Sequence, residues 1–254
     1  MESYSIVTAI VLAVYAYIAV VLWLGPGLWF NEPLVAGLFT GLIVGNVPLG
    51  LAVGGTLTLY SLGQWTYGGS TIPDVLTGSI VGTAIGALAS GNPDTQIGIG
   101  LAVGFPTALL MTQMDVLGRA VTTIFIHGAD RYAEDANEGG INLMHLLGQL
   151  PWGITRAIPV FLAIWLGSGP IKALVANSPA WLTKGIHTAG LVLPALGFAL
   201  LFTMLPIKKY WPFLIIGFVL YAYLNVPVIA IALLAVAIGF ILNMVQTTRS
   251  EVNV

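Results

Sequence analysis

Charged positions are almost absent from two long stretches of this chain. Between Ser3 and Pro73 only Glu32 carries a charge, and Tyr210 to Thr248 carries none. Apolar residues there do not alternate with polar ones. They run on continuously and are interrupted only by clusters of Gly, Pro and Asn. About 20 helical residues cross the hydrocarbon layer, so apolar runs of about 18 or more read as membrane-spanning. The runs fall roughly at 4–24, 33–63, 75–90, 97–114, 155–167, 186–206, 211–224 and 227–246. The pattern predicts an all-α polytopic membrane protein, with one integral membrane domain over 1–254. The in-out alternation of barrel strands is missing. No basic segment precedes the first run, Ile6 to Leu24, which reads as a retained helix rather than a signal peptide.

Several runs are broken or too short for a clean crossing. Phe30-Asn31-Glu32-Pro33 interrupts the N-terminal region, and Gly45-Asn46-Val47-Pro48 and Gly54-Gly55 interrupt the second run. Asn225-Val226-Pro227 splits the last long run. Broken helices leave backbone groups that hydrocarbon cannot satisfy, so they occur where protein or a wet cavity covers them. Transporters build substrate sites from such discontinuous helices. Glycine and proline are also simply frequent in membrane helices. The dense cluster from Gly45 to Gly69 favours the first reading.

The segment 115–138 differs. Asp115, Arg119, Asp130, Arg131, Glu134, Asp135 and Glu138 concentrate in it. Val116, Leu117, Val121, Ile124, Phe125, Gly128, Ala129, Tyr132 and Ala136 recur at three- and four-residue spacing, which predicts an amphipathic helix with a wet face. Asn137-Glu138-Gly139-Gly140 is expected to end it. The basic residues Lys208, Lys209, Arg249, Arg119 and Arg131 fall on the cytoplasmic side by the positive-inside rule. The stretch 211–246 then enters and leaves on one side, with its turn near Asn225.

Composition narrows the chemistry. With 8 basic and 10 acidic residues the net charge is −2, too small to argue for a nucleic acid partner. The chain has no cysteine, which removes disulfides, thiolate metal sites and cysteine catalysis. The three histidines show no metal-ligand spacing, and neither a metal nor a cofactor is expected. His127, beside Asp130 and Arg131, reads as a solvated or paired histidine. Arg156, in an apolar segment, is expected to pair internally or to snorkel.

The polar stretch that needs partners runs from Gly54 to Asp74. It carries hydroxyls, an amide, Trp65, Tyr67 and a terminal carboxylate, with glycines at both ends. Polar groups beside a flat aromatic suit an uncharged sugar, whose hydroxyls need hydrogen bonds and whose C–H patches need a ring face. An interfacial loop with an aromatic belt residue fits the same composition. The expected substrate contacts are Asn46, Thr58, Gln64, Trp65, Thr66 and Asp74, with backbone approach at Gly54, Gly55, Gly68 and Gly69. Asp74, after Pro73, also suits an N-cap of the following helix, ahead of a sugar contact.

Gly54-Gly55-Thr56-Leu57, Leu62-Gly63, Gly68 and Pro73-Asp74 resemble the signature of the mannose–fructose–sorbose type IIC subunit, the membrane subunit of a bacterial sugar phosphotransferase system. Pro33 to Gly45, Phe125 to Arg131, Arg156 to Pro159 and Gly185 to Gly190 resemble further blocks of that family. The resemblance implies an elevator-like permease in the bacterial cytoplasmic membrane, paired with a IID membrane subunit in a trimer of IIC–IID pairs. It implies phosphorylation of the sugar on the cytoplasmic side by IIA and IIB phosphocarriers, with the donor phosphohistidine on IIB and no catalytic residue on this chain. Thr58 stands where the family commonly has Glu, Asn46 where it commonly has Asp, and Pro26 and Gly27 where it has an acidic pair. Neutral groups bond sugar hydroxyls more weakly than carboxylates do. An uncoupled permease for a small neutral solute, or a membrane scaffold subunit, remains an alternative reading of the residues.

Overall fold

The computed structural model describes residues 4–64, 71–167 and 180–252. Among these residues there are ten α-helices and no strand. They are α1 (Ile6–Leu24), α2 (Pro33–Val44), α3 (Val47–Ser61), α4 (Val75–Leu88), α5 (Pro93–Glu134), α6 (Glu138–Leu147), α7 (Leu150–Trp165), α8 (Ala180–Met204), α9 (Ile207–Ala222) and α10 (Val228–Val252). A 3-10 turn, Trp29–Asn31, separates α1 from α2. Helix starts follow capping chemistry. Side chains of Ser5, Asn46, Asp74, Asn92 and Asn137 accept hydrogen bonds from first-turn N–H groups of α1, α3, α4, α5 and α6.

Helices α1 and α5 are long and apolar enough to cross a membrane, as is the run Glu138–Trp165 that contains α6 and α7. By contrast α2, α3 and α4 have 12, 15 and 14 residues. At 1.5 Å per residue they reach only about 18–22 Å, short of the ~30 Å hydrocarbon layer. The shortfall gives two half-length hairpins, α2–α3 and α4 with the first part of α5.

Both hairpins close on glycine. A β-carbon at Gly37 would collide with the Gly50 carbonyl, and one at Gly50 with the Gly37 carbonyl. In the second hairpin a β-carbon at Gly78 would sit 2.6 Å from the Gly104 oxygen, and one at Gly100 2.9 Å from the Gly82 oxygen. Small residues spaced by four let helix backbones touch in a medium that supplies no hydrophobic drive between helices. The hairpin tips meet where Asn46 Nδ2 donates to Gln96 Oε1 at 3.1 Å. Gly45 takes the left-handed conformation (φ 80°) that ends α2.

A core of small and aliphatic side chains joins α1, α4 and α7. Ala9, Leu12 and Ala16 pack with Ile80, Ala84, Val160 and Ile164, and Tyr4 donates to the Ala84 carbonyl at 2.7 Å. The end of α3 is pressed by α8, where a β-carbon at Gly197 would clash with the Leu59 carbonyl. The chain divides into two compact units, residues 1–201 and 202–254. In the second unit the expected turn is present, with Asn225 in the left-handed region (φ 50°) between α9 and α10.

Two expectations are corrected. Gly54 and Gly55 do not interrupt a helix; both lie inside α3, and Gly54 gives room to the Pro33 carbonyl. Nor does a boundary fall near residue 115, since α5 runs unbroken through Pro106 and Asp115 to Glu134. Asp115 stays in the helix because its charge is paired, as described below. The helix ends three residues earlier than Asn137, at a turn with Ala136 at φ 49°. Asn137 instead caps α6, which takes in Gly139 and Gly140. The apolar side of 115–134 is not fully covered: Val116, Leu117 and Ile124 are exposed.

The glycine contacts carry a direct expectation. Gly50→Ala should lower the thermal midpoint of the purified protein, costing about 1–3 kcal/mol through overpacking against α2. Gly217→Ala and Gly239→Ala, where nothing lies within 4 Å of the added carbon, should leave the midpoint unchanged or slightly raised. Equal melting of all three variants would remove the close-contact role assigned to Gly50.

Candidate substrate site

Pro73 and Asp74 lead into α4, and Asp74 does three things at once. Its backbone N–H donates to the Ala108 carbonyl of α5 at 2.9 Å. Its Oδ1 accepts from Thr77 N at 3.0 Å, capping α4. Its Oδ2 accepts from Arg156 Nε at 2.9 Å. Arg156 comes from α7 and reaches a second carboxylate: Nη2 donates to Asp115 Oδ1 at 2.6 Å. One turn along α5, Arg119 donates from Nε to Asp115 Oδ2 at 2.9 Å, with Nη2 also 2.9 Å from that oxygen. Thr71 adds a hydroxyl donor to the same oxygen at 3.3 Å. The α5–α7 approach is open because Gly118 has no side chain; a β-carbon there would lie 3.3 Å from Thr155 Oγ1.

Two aspartates and two arginines thus sum to zero charge. Arg156 is 5% exposed and the Asp74 side chain 9%, so the pairing is internal, as its apolar sequence surroundings require. Trp152 lies against both guanidinium groups, its ring centre 5.3 Å from Arg156 Cζ and 5.8 Å from Arg119 Cζ. Such cation–π contacts contribute about 0.5–2 kcal/mol each.

This network forms one wall of a cavity of about 320 Å³, within the ~300–1,000 Å³ of small-molecule sites. Val20, Trp23, Leu24, Ile72 and Leu76 give it apolar surface, and Asn31 adds an amide. A second cavity of about 410 Å³ lies between α5 and α6, lined by Thr122, Asp130, His145 and Gln149 among others. Leu24 and Trp152 line both cavities.

The residues expected from sequence are distributed unevenly. Asp74 lines the first cavity. Asn46 caps α3 through Leu49 N and bonds Gln96. Thr58 Oγ1 accepts from Leu34 N at 3.0 Å, tying α3 to the start of α2. Asn46 and Thr58 are twelve residues apart along one helix, about 18 Å, so they do not share a site with each other. Gln64 follows α3, and its Oε1 is buried without a partner among the described residues. Gly54 and Gly55 sit against Pro33 and Leu34. Trp65, Thr66, Gly68 and Gly69 lie outside the described residues. Asn31, Asp115, Arg119 and Trp152 are cavity residues that the sequence reading did not select. The one available signal was Arg156, since a cation in an apolar segment demands a carboxylate. His127 is a surface residue with its Nδ1 3.6 Å from Asp130.

Breaking a buried ion pair from one side leaves an uncompensated charge and costs about 3–5 kcal/mol. Arg156→Ala should therefore sharply reduce the thermal stability and yield of folded protein. Arg156→Lys should recover only part of the loss, because a single ammonium does not reproduce the fork that reaches Asp74 and Asp115 together. Detergent melts of both variants give the measurement, and parent-like stability of Arg156→Ala is the contrary result.

The comparisons with known proteins are concordant. The family described as the sorbose-specific IIC component of the phosphotransferase system matches residues 6–241. The fructose permease IIC component of Bacillus subtilis (strain 168) is 30% identical over 98% of this chain and 90% of its own length. The sorbose-specific EIIC component of Lacticaseibacillus casei is 34% identical over 79% and 71%. The mannose-specific EIIC component of Escherichia coli (strain K12) is 28% identical over 81% and 76%. Among solved structures, a membrane protein matches at TM-score 0.82 and 22% identity, covering 95% of this chain and 97% of that one. The mannose transporter ManYZ in complex with microcin E492 matches at TM-score 0.60 and 24% identity, covering 96% and 97%. These likenesses establish the helical transporter fold. The match across nearly the whole chain places the protein in the sorbose-specific IIC component family, as a multi-pass, sugar-translocating IIC subunit of a mannose-type phosphotransferase system.

Proposed function

We propose that this chain carries a neutral sugar across the bacterial cytoplasmic membrane in a complex with a IID subunit, for phosphorylation at the inner face by IIA and IIB phosphocarriers. One observation carries the reading: a cavity of sugar-compatible size bears four charged side chains that cancel one another. A solute with its own net charge finds no unpaired counter-ion there. A neutral polyhydroxyl solute finds carboxylate acceptors, guanidinium donors and the ring of Trp152. The Gly54–Asp74 stretch enters this site through Thr71 to Asp74. Gln64 belongs to the proposal by its place in the same stretch. Trp65 and Thr66 belong to the proposal by their place between Gln64 and Asp74. Asn46 and Thr58 spend their side-chain oxygens on backbone N–H groups and support the site by holding the first hairpin.

The relatives' names supply the sugars to try: mannose, fructose, sorbose and N-acetylgalactosamine. A IID partner and a trimer of IIC–IID pairs follow from the family resemblance, and the uncovered apolar faces of α1, α9 and α10 leave room for such a partner or for lipid.

Uptake of each sugar in cells that express this chain with its co-encoded subunits tests the reading. One sugar should accumulate as its phosphate, and accumulation should stop when the IIB phosphohistidine is removed. At matched membrane expression Gln64→Ala should weaken uptake several-fold, the ~0.5–1.5 kcal/mol of one neutral hydrogen bond. Accumulation of unmodified sugar independent of IIB would assign the chain to uncoupled transport instead.

A further inference from the structure

The second cavity, between α5 and α6, continues the first. Three elements carry the lining residues of both in the same order. At the end of α1 they pass from Val20 and Trp23 in the first cavity, through Leu24 in both, to Gly25 in the second. Along α5 they pass from Asp115 and Arg119 to Thr122, Ile126 and Asp130. Along α7 they pass from Arg156, through Trp152 in both, to Gln149. The step from Arg119 to Ile126 on α5 is about 10 Å. The two spaces are therefore successive positions on one seam. Trp152 stands where they join, held against the guanidinium groups of Arg156 and Arg119. Next to it, the ring of Tyr17 fills the place that a β-carbon at Gly153 would take, which presses α7 onto α1 at this level. The second cavity also has open polar groups. His145 is exposed and Gln149 half-buried, and neither side chain has a hydrogen-bond partner among the described residues. Phe125, Ile126 and Trp152 add apolar surface, and Asp130 is the one Asp, Glu, Lys or Arg in the lining.

We propose that this second cavity is a station for the neutral sugar on its way from the first cavity to the aqueous end of α5, with Trp152 as the wall between the two. The proposal rests on the sugar reading above and extends it. A polyhydroxyl ligand that leaves the charged network exchanges those hydrogen bonds for the amide of Gln149, the imidazole of His145 and the carboxylate of Asp130. The aromatic surface of Trp152 borders it on both sides of the step. Beyond lies the wet end of the helix, where His127 and Asp130 are 78% and 67% exposed. The phosphate ester of the sugar is not the ligand. Its negative charge would face Asp130 with no Lys or Arg in the lining to answer it, and like charges brought together cost several kcal/mol. The station thus holds the sugar before phosphorylation and does not retain the product.

The absence of cysteine from the chain makes the test clean. The full chain, in complex with cysteine-free partner subunits, receives one of three substitutions. Gln149→Cys lies in the second cavity, Ile72→Cys in the first, and Leu146→Cys is exposed on α6 and lines neither. Maleimide labelling is timed with and without mannose, fructose, sorbose or N-acetylgalactosamine. One of these sugars should slow labelling of both Gln149→Cys and Ile72→Cys by about threefold or more, by simple occupancy. Leu146→Cys should label at an unchanged rate. In membrane vesicles a bulky maleimide adduct on Gln149→Cys should then stop uptake of that sugar, while a small methylthio adduct leaves most of it. A residue that only supports the fold would not show this dependence on adduct size. His145→Cys serves the same comparison if Gln149→Cys does not reach the membrane. Protection confined to Ile72→Cys, or full uptake with the bulky adduct in place, overturns the second station and leaves the sugar reading standing. No protection at any position by any of the four sugars overturns both.

Discussion

Arg156 holds two carboxylates that come from distant parts of the chain, and the arrangement of α4, α5 and α7 follows from that bridge. Asp74 arrives at the start of a half-length helix, and Asp115 from the middle of a long one. Without the guanidinium between them, two desolvated negative charges would face each other. Arg119 completes the balance from α5 itself, and Trp152 covers both cations. A buried network of this kind is weak evidence of net stability, because desolvation offsets most of the attraction. Its structural effect is positional. It admits one register of α7 against α5, and that register sets the shape of the cavity beside it.

Hydrocarbon imposes a second constraint, on the backbone. The half-length helices α2, α3 and α4 end where unpaired N–H groups need partners. Asn46, Asp74 and Asn92 supply them as caps, and Thr58 reaches across to Leu34 N. Side-chain oxygen atoms thus do the work that water does at helix ends in soluble proteins. The hairpins can close only because glycine meets glycine at Gly37 and Gly50 and at Gly82 and Gly100.

Much of this was legible in the sequence. Continuous apolar runs gave the membrane class, Pro33 and Pro48 marked helix starts, and Asn225 marked the last turn. Asp74 as a cap followed from its place after Pro73, and Arg156 as an internally paired cation from its apolar neighbours. Gly54-Gly55 was misread because glycine serves two opposite ends, breaking a helix or bringing two together. The four-residue spacing of Gly37 and Gly41, Gly50 and Gly54, and Gly78, Gly82 and Gly86 is the signature of the second use. Asp115 was grouped with the solvated charges that follow it, since nothing local distinguishes an aspartate at the rim of a wet segment from one that meets an arginine 41 residues away. Asn31 was legible only as part of the Phe30–Pro33 break, since nothing local shows that a break residue lines a cavity formed with α4, α5 and α7.

The unbroken length of α5 has a mechanical consequence. Its 42 residues make a rod of about 63 Å, twice the hydrocarbon thickness. One end is clamped to α4 by backbone contact at Gly100 and Gly104. The middle is held to α7 by the Asp115–Arg156 bridge, and the other end carries Asp130, Arg131 and Glu134 away from the hairpins. Beyond Arg119 the rod extends for about 22 Å, so a tilt of about 5° there moves the far end by about 2 Å. Any tilt of α5 is therefore reproduced at its charged end, and a force applied at that end acts back on the site through the same arm.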